Sequence, residues 1–171
     1  MAIGQGEIET TPLQMANMTA AIANKGYYYT PHIVKTIGAD NPIDQKYRTK
    51  QVINIDLANF EPIIHGMEEA VNGGEGSTAR IAALKDIIVC GKTGTAQNPH
   101  GKDHSVFIAF APKDDPKIAI AVYVENAGFG ATYAAPVASL MIEKYLTGKV
   151  TNAWSEQRIL DLNLIAGDKK E

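Results

Sequence analysis

The feature that most limits what this chain can fold into is a change of apolar period near residue 87. Upstream, apolar residues recur at helical spacing. From 87 to 125 they follow the two-residue alternation of strands. Three segments carry that alternation, 87–96, 105–111 and 117–125, the last with Ile-Ala-Ile-Ala-Val-Tyr-Val at its centre. Asp114-Asp115-Pro116 supplies turn residues between the second and third, so these two are expected to form an antiparallel hairpin.

Helices are expected on either side. The first covers 11–25: Thr11 is an N-cap, Pro12 suits the first helical position and Gln14 completes a capping box. Leu13, Met15, Met18 and Ile22 supply its apolar, core-forming stripe, and Gly26 stops it. Tyr27-Tyr28-Tyr29 leads into 30–34, read as a short extended edge segment because of Pro31. A second helix is expected over 57–71, with Asp56 as N-cap and Gly73-Gly74 at its end, then a short helix over 79–84. The glycine-bearing loop 126–132 leads to a last helix over 135–146, with Pro136 near its start and Gly148 past its end. The pattern is α+β, a small antiparallel sheet of about three strands with helices packed on it. One domain over 1–148 and a C-terminal tail over 149–171 account for the chain. The tail holds Trp154 and an apolar patch at Ile159, Leu160, Leu162, Leu164 and Ile165, which packs on the domain or marks a partner contact.

Composition narrows the function classes. The 171 residues are 45% hydrophobic, enough for a core, and the net charge of −3 gives no reason to expect a nucleic-acid partner. A single cysteine, Cys90, rules out an intramolecular disulfide. No apolar run approaches the roughly 20 residues that span a bilayer, and the start at Met1 lacks the basic and apolar regions of a secretory signal. A targeting or anchoring segment, if the parent has one, is expected outside this chain.

The chemistry concentrates in the first strand, at Lys92-Thr93-Gly94-Thr95. Alternation puts the Thr93 and Thr95 hydroxyls on one face and Lys92 and Gly94 nominally on the other. On a twisted edge strand the Lys92 ammonium can still come round to the same cleft. Gly94 lets a ligand approach the backbone. A cation, two hydroxyls and edge amides suit an extended peptide ending in a carboxylate. Taken alone, the four residues also fit an ordinary exposed strand with a glycine bulge. A phosphate loop does not fit: its first glycine belongs five positions before Gly91, where Asp86 stands, and no long helix follows Thr93. His100, Asp103 and His104 form a weak metal-site candidate in a polar loop, the plainer reading being a solvated turn. No metal and no cofactor is expected. Cys90, in an apolar strand, reads as a buried small residue.

A wider resemblance surrounds the tetrapeptide. Ile3-Gly4-Gln5-Gly6-Glu7 followed by Thr11-Pro12-Leu13-Gln14-Met15-Ala16 resembles the stretch between the second and third motifs of class B penicillin-binding transpeptidases. Gly91-Lys92-Thr93-Gly94-Thr95-Ala96-Gln97 resembles their third motif, and Phe107-Ile108-Ala109-Phe110-Ala111-Pro112 with 118–125 resembles the two strands that follow. The resemblance runs in order over residues 3 to 147 and is greatest to the elongation-type penicillin-binding protein 2 group. It implies part of a serine-transpeptidase/β-lactamase-like domain and a D,D-transpeptidase that cross-links peptidoglycan stem peptides and is acylated by β-lactams. It assigns proton movement and carboxylate binding to Lys92 and an oxyanion-hole N–H to Thr95, the two catalytic positions. Thr93, Gly94 and Thr95 become the substrate-binding strip, and loop residues 128–130 a rim. It also implies a parent anchored in the cytoplasmic membrane with its catalytic domain on the extracytoplasmic, periplasmic face.

The serines depart from that family pattern. Three residues after Ser77, Ser105, Ser139 and Ser155 stand Arg80, Ile108, Ile142 and Arg158, so serine-x-x-lysine is absent. Two residues after them stand Ala79, Phe107, Met141 and Gln157, so serine-x-asparagine is absent too. Acyl transfer needs a nucleophile beside a base, so the chain is expected to be inactive alone, to need the N-terminal half of the domain as partner, and to self-associate through bare edges. The competing reading is a non-catalytic module that holds peptides on the same edge strand.

Overall fold

The computed structural model of the chain describes residues 7–38 and 41–162. Helix α1 (Pro12–Ala23) is followed by two short two-stranded ribbons, in which β1 (Tyr27–Tyr28) pairs with β4 (Gln51–Val52) and β2 (Thr36–Ile37) with β3 (Asn41–Pro42). Helix α2 (Phe60–Asn72) precedes the main sheet of β5 (Cys90–Ala96), β6 (His104–Ala111) and β7 (Ile118–Val124). Helices α3 (Ala134–Thr147) and α4 (Ala153–Leu160) close the described chain.

Local signals account for most of these boundaries. The Thr11 capping box forms: Thr11 N–H donates to Gln14 Oε1 at 2.8 Å and Gln14 N–H to Thr11 Oγ1 at 3.3 Å. Asp56 caps as expected, but it caps a 3₁₀ turn at Leu57–Asn59 that leads into α2. Gly148 ends α3 in the left-handed region at φ 79°. The expected strand over 87–96 is shorter at its start. Asp86 has φ 62° and Leu84 bridges Ile87, so a tight turn occupies what alternation read as strand. The extended segment expected at 30–34 forms no strand. The paired residues are Tyr27 and Tyr28, held by partners at 51–52 that no local pattern reveals.

The sheet order β5–β6–β7 is antiparallel throughout and matches the expected three strands. Its two faces are clothed separately. Phe107, Ala109 and Ile120 pack with Ala134, Ala135, Ala138 and Ile142 of α3. Cys90 and Phe110 pack with Ala23 of α1 and Phe60, Ile64 and Met67 of α2. Phe107 and Phe110 are completely buried, each contributing about 1.5–3 kcal/mol. Helix α1 meets the sheet through small residues, Thr19, Ala21 and Ala23. That close approach leaves Met18, expected in the core, half exposed and Leu13 largely so. The tail contributes α4, which sequence pattern did not show. Asn152 caps it by accepting from Ser155 N–H at 3.0 Å, and Ser155 is buried while Trp154 is exposed.

Candidate functional site

Strand β5 carries the Lys-Thr-Gly-Thr residues at one side of the sheet, with β6 its only sheet neighbour among the described residues. Half of its backbone groups therefore point away from β6, as those of any edge strand do. Thr93 stands opposite Phe107, Gly94 opposite Val106 and Thr95 opposite Ser105. Thr93 and Thr95 thus share the α3 face of the sheet, while Lys92 starts from the α2 face. The Lys92 side chain folds over the strand edge: its Nζ donates to the Thr93 carbonyl at 2.8 Å and lies 3.4 Å from Thr93 Oγ1. Cation and hydroxyl meet although alternation separates them. On the α2 side Lys92 borders a cleft of about 390 Å³ with Glu69, Ala70, Glu75, Ser77 and Thr78.

Two glycines in β5 do different work. A Cβ on Gly91 would collide with the Phe107 ring and sit 3.0 Å from the Ile108 carbonyl, so this glycine serves internal packing. A Cβ on Gly94 would meet Val106 Cβ at 3.4 Å, ordinary contact. Folding therefore does not require glycine at 94. Gly91 was not singled out by sequence reasoning, since its clash partner lies on another strand. The sequence pattern places Gly130 only in a loop rim. It is buried with its Cα against the Gly94 and Val106 backbone, leaving no room for a side chain.

The other candidates are spoken for locally. Asp103 Oδ1 accepts from Asn98 N–H at 3.2 Å, and His104 Nδ1 accepts from Asn126 N–H at 3.0 Å. Among the described residues no three His, Cys, Asp or Glu side chains form a metal-holding group. Cys90 is fully buried, and that burial, with the Glu68 charge nearby, pushes its thiol up to about 12. It is no nucleophile at neutral pH. Lys113 Nζ hydrogen-bonds Glu68 Oε2 at 2.6 Å, which holds Glu68 below and Lys113 above their usual ranges. This pair ties the β6–β7 turn to α2.

What β5 offers is a positive charge beside a hydroxyl, a second hydroxyl one pleat on, and a glycine that bares the backbone between them. The family described as "Penicillin binding protein transpeptidase domain" matches residues 1–143. This chain belongs to that family. It is 35% identical over 167 residues to Peptidoglycan D,D-transpeptidase MrdA of Haemophilus influenzae, covering 88% of this chain and 26% of that protein. It is 31% identical over 163 residues to Peptidoglycan D,D-transpeptidase PbpA of Mycobacterium tuberculosis, covering 86% of this chain and 32% of that one. Among solved structures, Pseudomonas aeruginosa PBP2 in complex with WCK 5153 superposes with a TM-score of 0.73 at 40% identity, over 88% of this chain and 33% of that chain. The imipenem acyl-enzyme of penicillin-binding protein A from M. tuberculosis gives 0.71 at 32% identity, over 85% and 33%. The chain spans about a quarter to a third of the length of these relatives. Its mixed architecture is that of a penicillin-binding transpeptidase domain, and it is similar to the PBP2 group, as its motifs implied. Within the described residues no helix is long and apolar enough to cross a membrane.

Proposed function

We propose that this chain is one part of a peptidoglycan D,D-transpeptidase and supplies the lysine-threonine-glycine wall of its site. The observation that carries this reading is the Lys92 ammonium folded over the strand edge onto Thr93. A carboxylate laid along β5 meets that cation and the Thr93 and Thr95 hydroxyls, and charge-assisted bonds of this kind contribute about 1.5–3 kcal/mol each. The Thr95 N–H is assigned to stabilise the oxyanion that forms when a serine attacks the stem-peptide carbonyl. Gly94 keeps the groove clear. The attacking serine comes from a preceding part of the same domain, since no serine here stands three residues before a lysine. The chain alone is therefore inactive. β-Lactams, which form acyl-enzymes in the relatives with solved complexes, compete for the same strip. The parent works on the extracytoplasmic face of the cell membrane, where stem peptides are.

Labelled penicillin tests the division of labour. The isolated chain is expected to take up no covalent label yet to bind a peptide ending in D-alanyl-D-alanine reversibly. The longer transpeptidase containing it is expected to label, and to lose labelling in Lys92→Ala. A stable adduct on the isolated chain overturns its inactivity. Undiminished labelling of the longer Lys92→Ala protein overturns the role of Lys92, and reversible binding with no labelling of the longer protein marks a non-catalytic peptide module.

A further inference from the structure

The segment between β7 and α3 is tied to the sheet side at Asn126 by His104 and at Gly128 by the Asp103 carbonyl, and its 129–134 stretch by the Ser105 side chain. Ser105 on β6 is fully buried and stands directly opposite Thr95. Its hydroxyl donates to the Phe129 carbonyl at 2.9 Å and accepts from Ala134 N–H at 3.0 Å. Helix α3 has no side-chain cap of its own at Tyr133. Ser105 satisfies its first N–H from the adjoining face of the sheet, a task normally done by an N-cap residue of the helix itself. One hydroxyl therefore spends its donor on the start of the 129–134 turn and its acceptor on the end. Between those two points Gly130 is pressed onto the backbone of Gly94 and Val106.

This matters for β5 because Gly94 has no side chain to brace it and glycine is the residue with the most backbone freedom to lose. Its outer side faces the groove, so support must come from behind. Gly130 is that support, and Ser105 is what holds Gly130 there. We propose that Ser105 is a positioning residue for the Gly94–Thr95 backbone, acting through the Gly130 contact rather than by touching substrate. The proposal rests on the functional reading of β5 only for its ligand consequence. Its structural half, the Gly130 contact held by Ser105, stands apart from that reading.

Amide hydrogen exchange on the full 171-residue chain, with and without a peptide ending in D-alanyl-D-alanine, separates the two halves. In Ser105→Ala, exchange at Ala134 is expected to accelerate at least tenfold. Exchange at Gly94 and Gly130 is expected to accelerate with it, while amides in the α1–α2 layer stay unchanged and peptide affinity falls about tenfold. Ser105→Thr, which keeps the hydroxyl, is expected to restore both. If Ala134 loses protection while Gly94 and Gly130 keep theirs, Ser105 is only a remote helix cap and the proposal is overturned. If the peptide fails to bind even the unsubstituted chain, the functional reading of β5 falls, and the exchange result still decides the role of Ser105. Should Ser105→Ala not fold, Ser105→Cys, close in size but a weaker hydrogen-bonding group, is read by the same two outcomes.

Discussion

The Lys92 ammonium reaches the Thr93 carbonyl at 2.8 Å by crossing the edge of its own strand. In a strand the side chains of adjacent residues point to opposite faces, so the contact has to pass round the edge on which β5 has no sheet neighbour among the described residues. On the proposed reading of β5, a ligand carboxylate replaces that carbonyl as the partner of the ammonium. Lys92→Met is expected to leave thermal stability nearly unchanged, since Lys92 is exposed, and to weaken binding of a carboxylate-terminated peptide by roughly tenfold or more. Calorimetric titration checks it, and equal affinity in the two proteins would remove Lys92 from the site.

The two β5 glycines make an opposed pair for mutation. Gly91→Ala forces a methyl into the Phe107 ring and is expected to destabilise by about 1–3 kcal/mol, the cost of overpacking a core. Gly94→Ala meets only Val106 at contact distance, so its stability loss is expected to be under about 1 kcal/mol while ligand binding suffers. Urea denaturation beside a binding assay reads both, and a reversed order of stabilities contradicts the packing account.

Thiol chemistry reports on the α2 face. Cys90 is buried and its thiol is held at about 12. An aromatic disulfide reagent is expected to label it only at the rate of unfolding. Rapid labelling of the native chain would show that α2 opens from the sheet.

Acid should release the tail. Glu143 on α3 is 7% exposed. Burial alone pushes its carboxyl up, but the Thr151 hydroxyl and N–H, the Asn152 N–H and nearby Lys149 outweigh that and hold it below the ordinary 4.5. A depressed carboxylate contributes stability that is fully present above 4.5 and is lost as pH falls through the lower folded value. Stability is thus expected to decline below about pH 4.5, with Glu143→Gln showing a shallower decline and a loss of about 1–3 kcal/mol at neutral pH. Parallel acid titrations of the two proteins by fluorescence of Trp154 check the sign.

Exposed apolar surface borders the second edge strand. Ile118, Leu140, Met141, Tyr145 and Val150 line an open cleft of about 460 Å³ beside β7, and β7 pairs with β6 alone among the described residues. Edges and apolar patches of this kind favour association. Light scattering is expected to show mass rising with concentration, and Met141→Lys to suppress the rise. A monodisperse monomer at high concentration would count against it.

Much of this was readable from residues. The capping box at Thr11, the turn at Asp114-Asp115-Pro116 and the stop at Gly148 are local codes, and each sits where its chemistry required. The placement of Lys92, Thr93, Gly94 and Thr95 on an outer strand was legible for the same reason, because a two-residue period and a following hairpin are enough to order three strands. What stayed hidden depends on distant partners. Tyr27 and Tyr28 are a strand only through residues 51 and 52. Gly91 is glycine because of Phe107, and Ser105 is buried and polar because Ala134 needs a partner. Helix α4 is too short for periodicity to show, its one local sign being Asn152 three residues before Ser155.

The strand order carries a consequence for how the chain acquires its shape. β5, β6 and β7 are neighbours in sequence and in space, so the sheet closes through two short loops, 97–103 and 112–117. Closing short loops costs little chain entropy, and local pairings form early. The β5 edge can therefore be in register before α3 arrives to cover its back. The Ser105–Ala134 bond beside the Gly130 contact can form only once the chain has been made as far as residue 134.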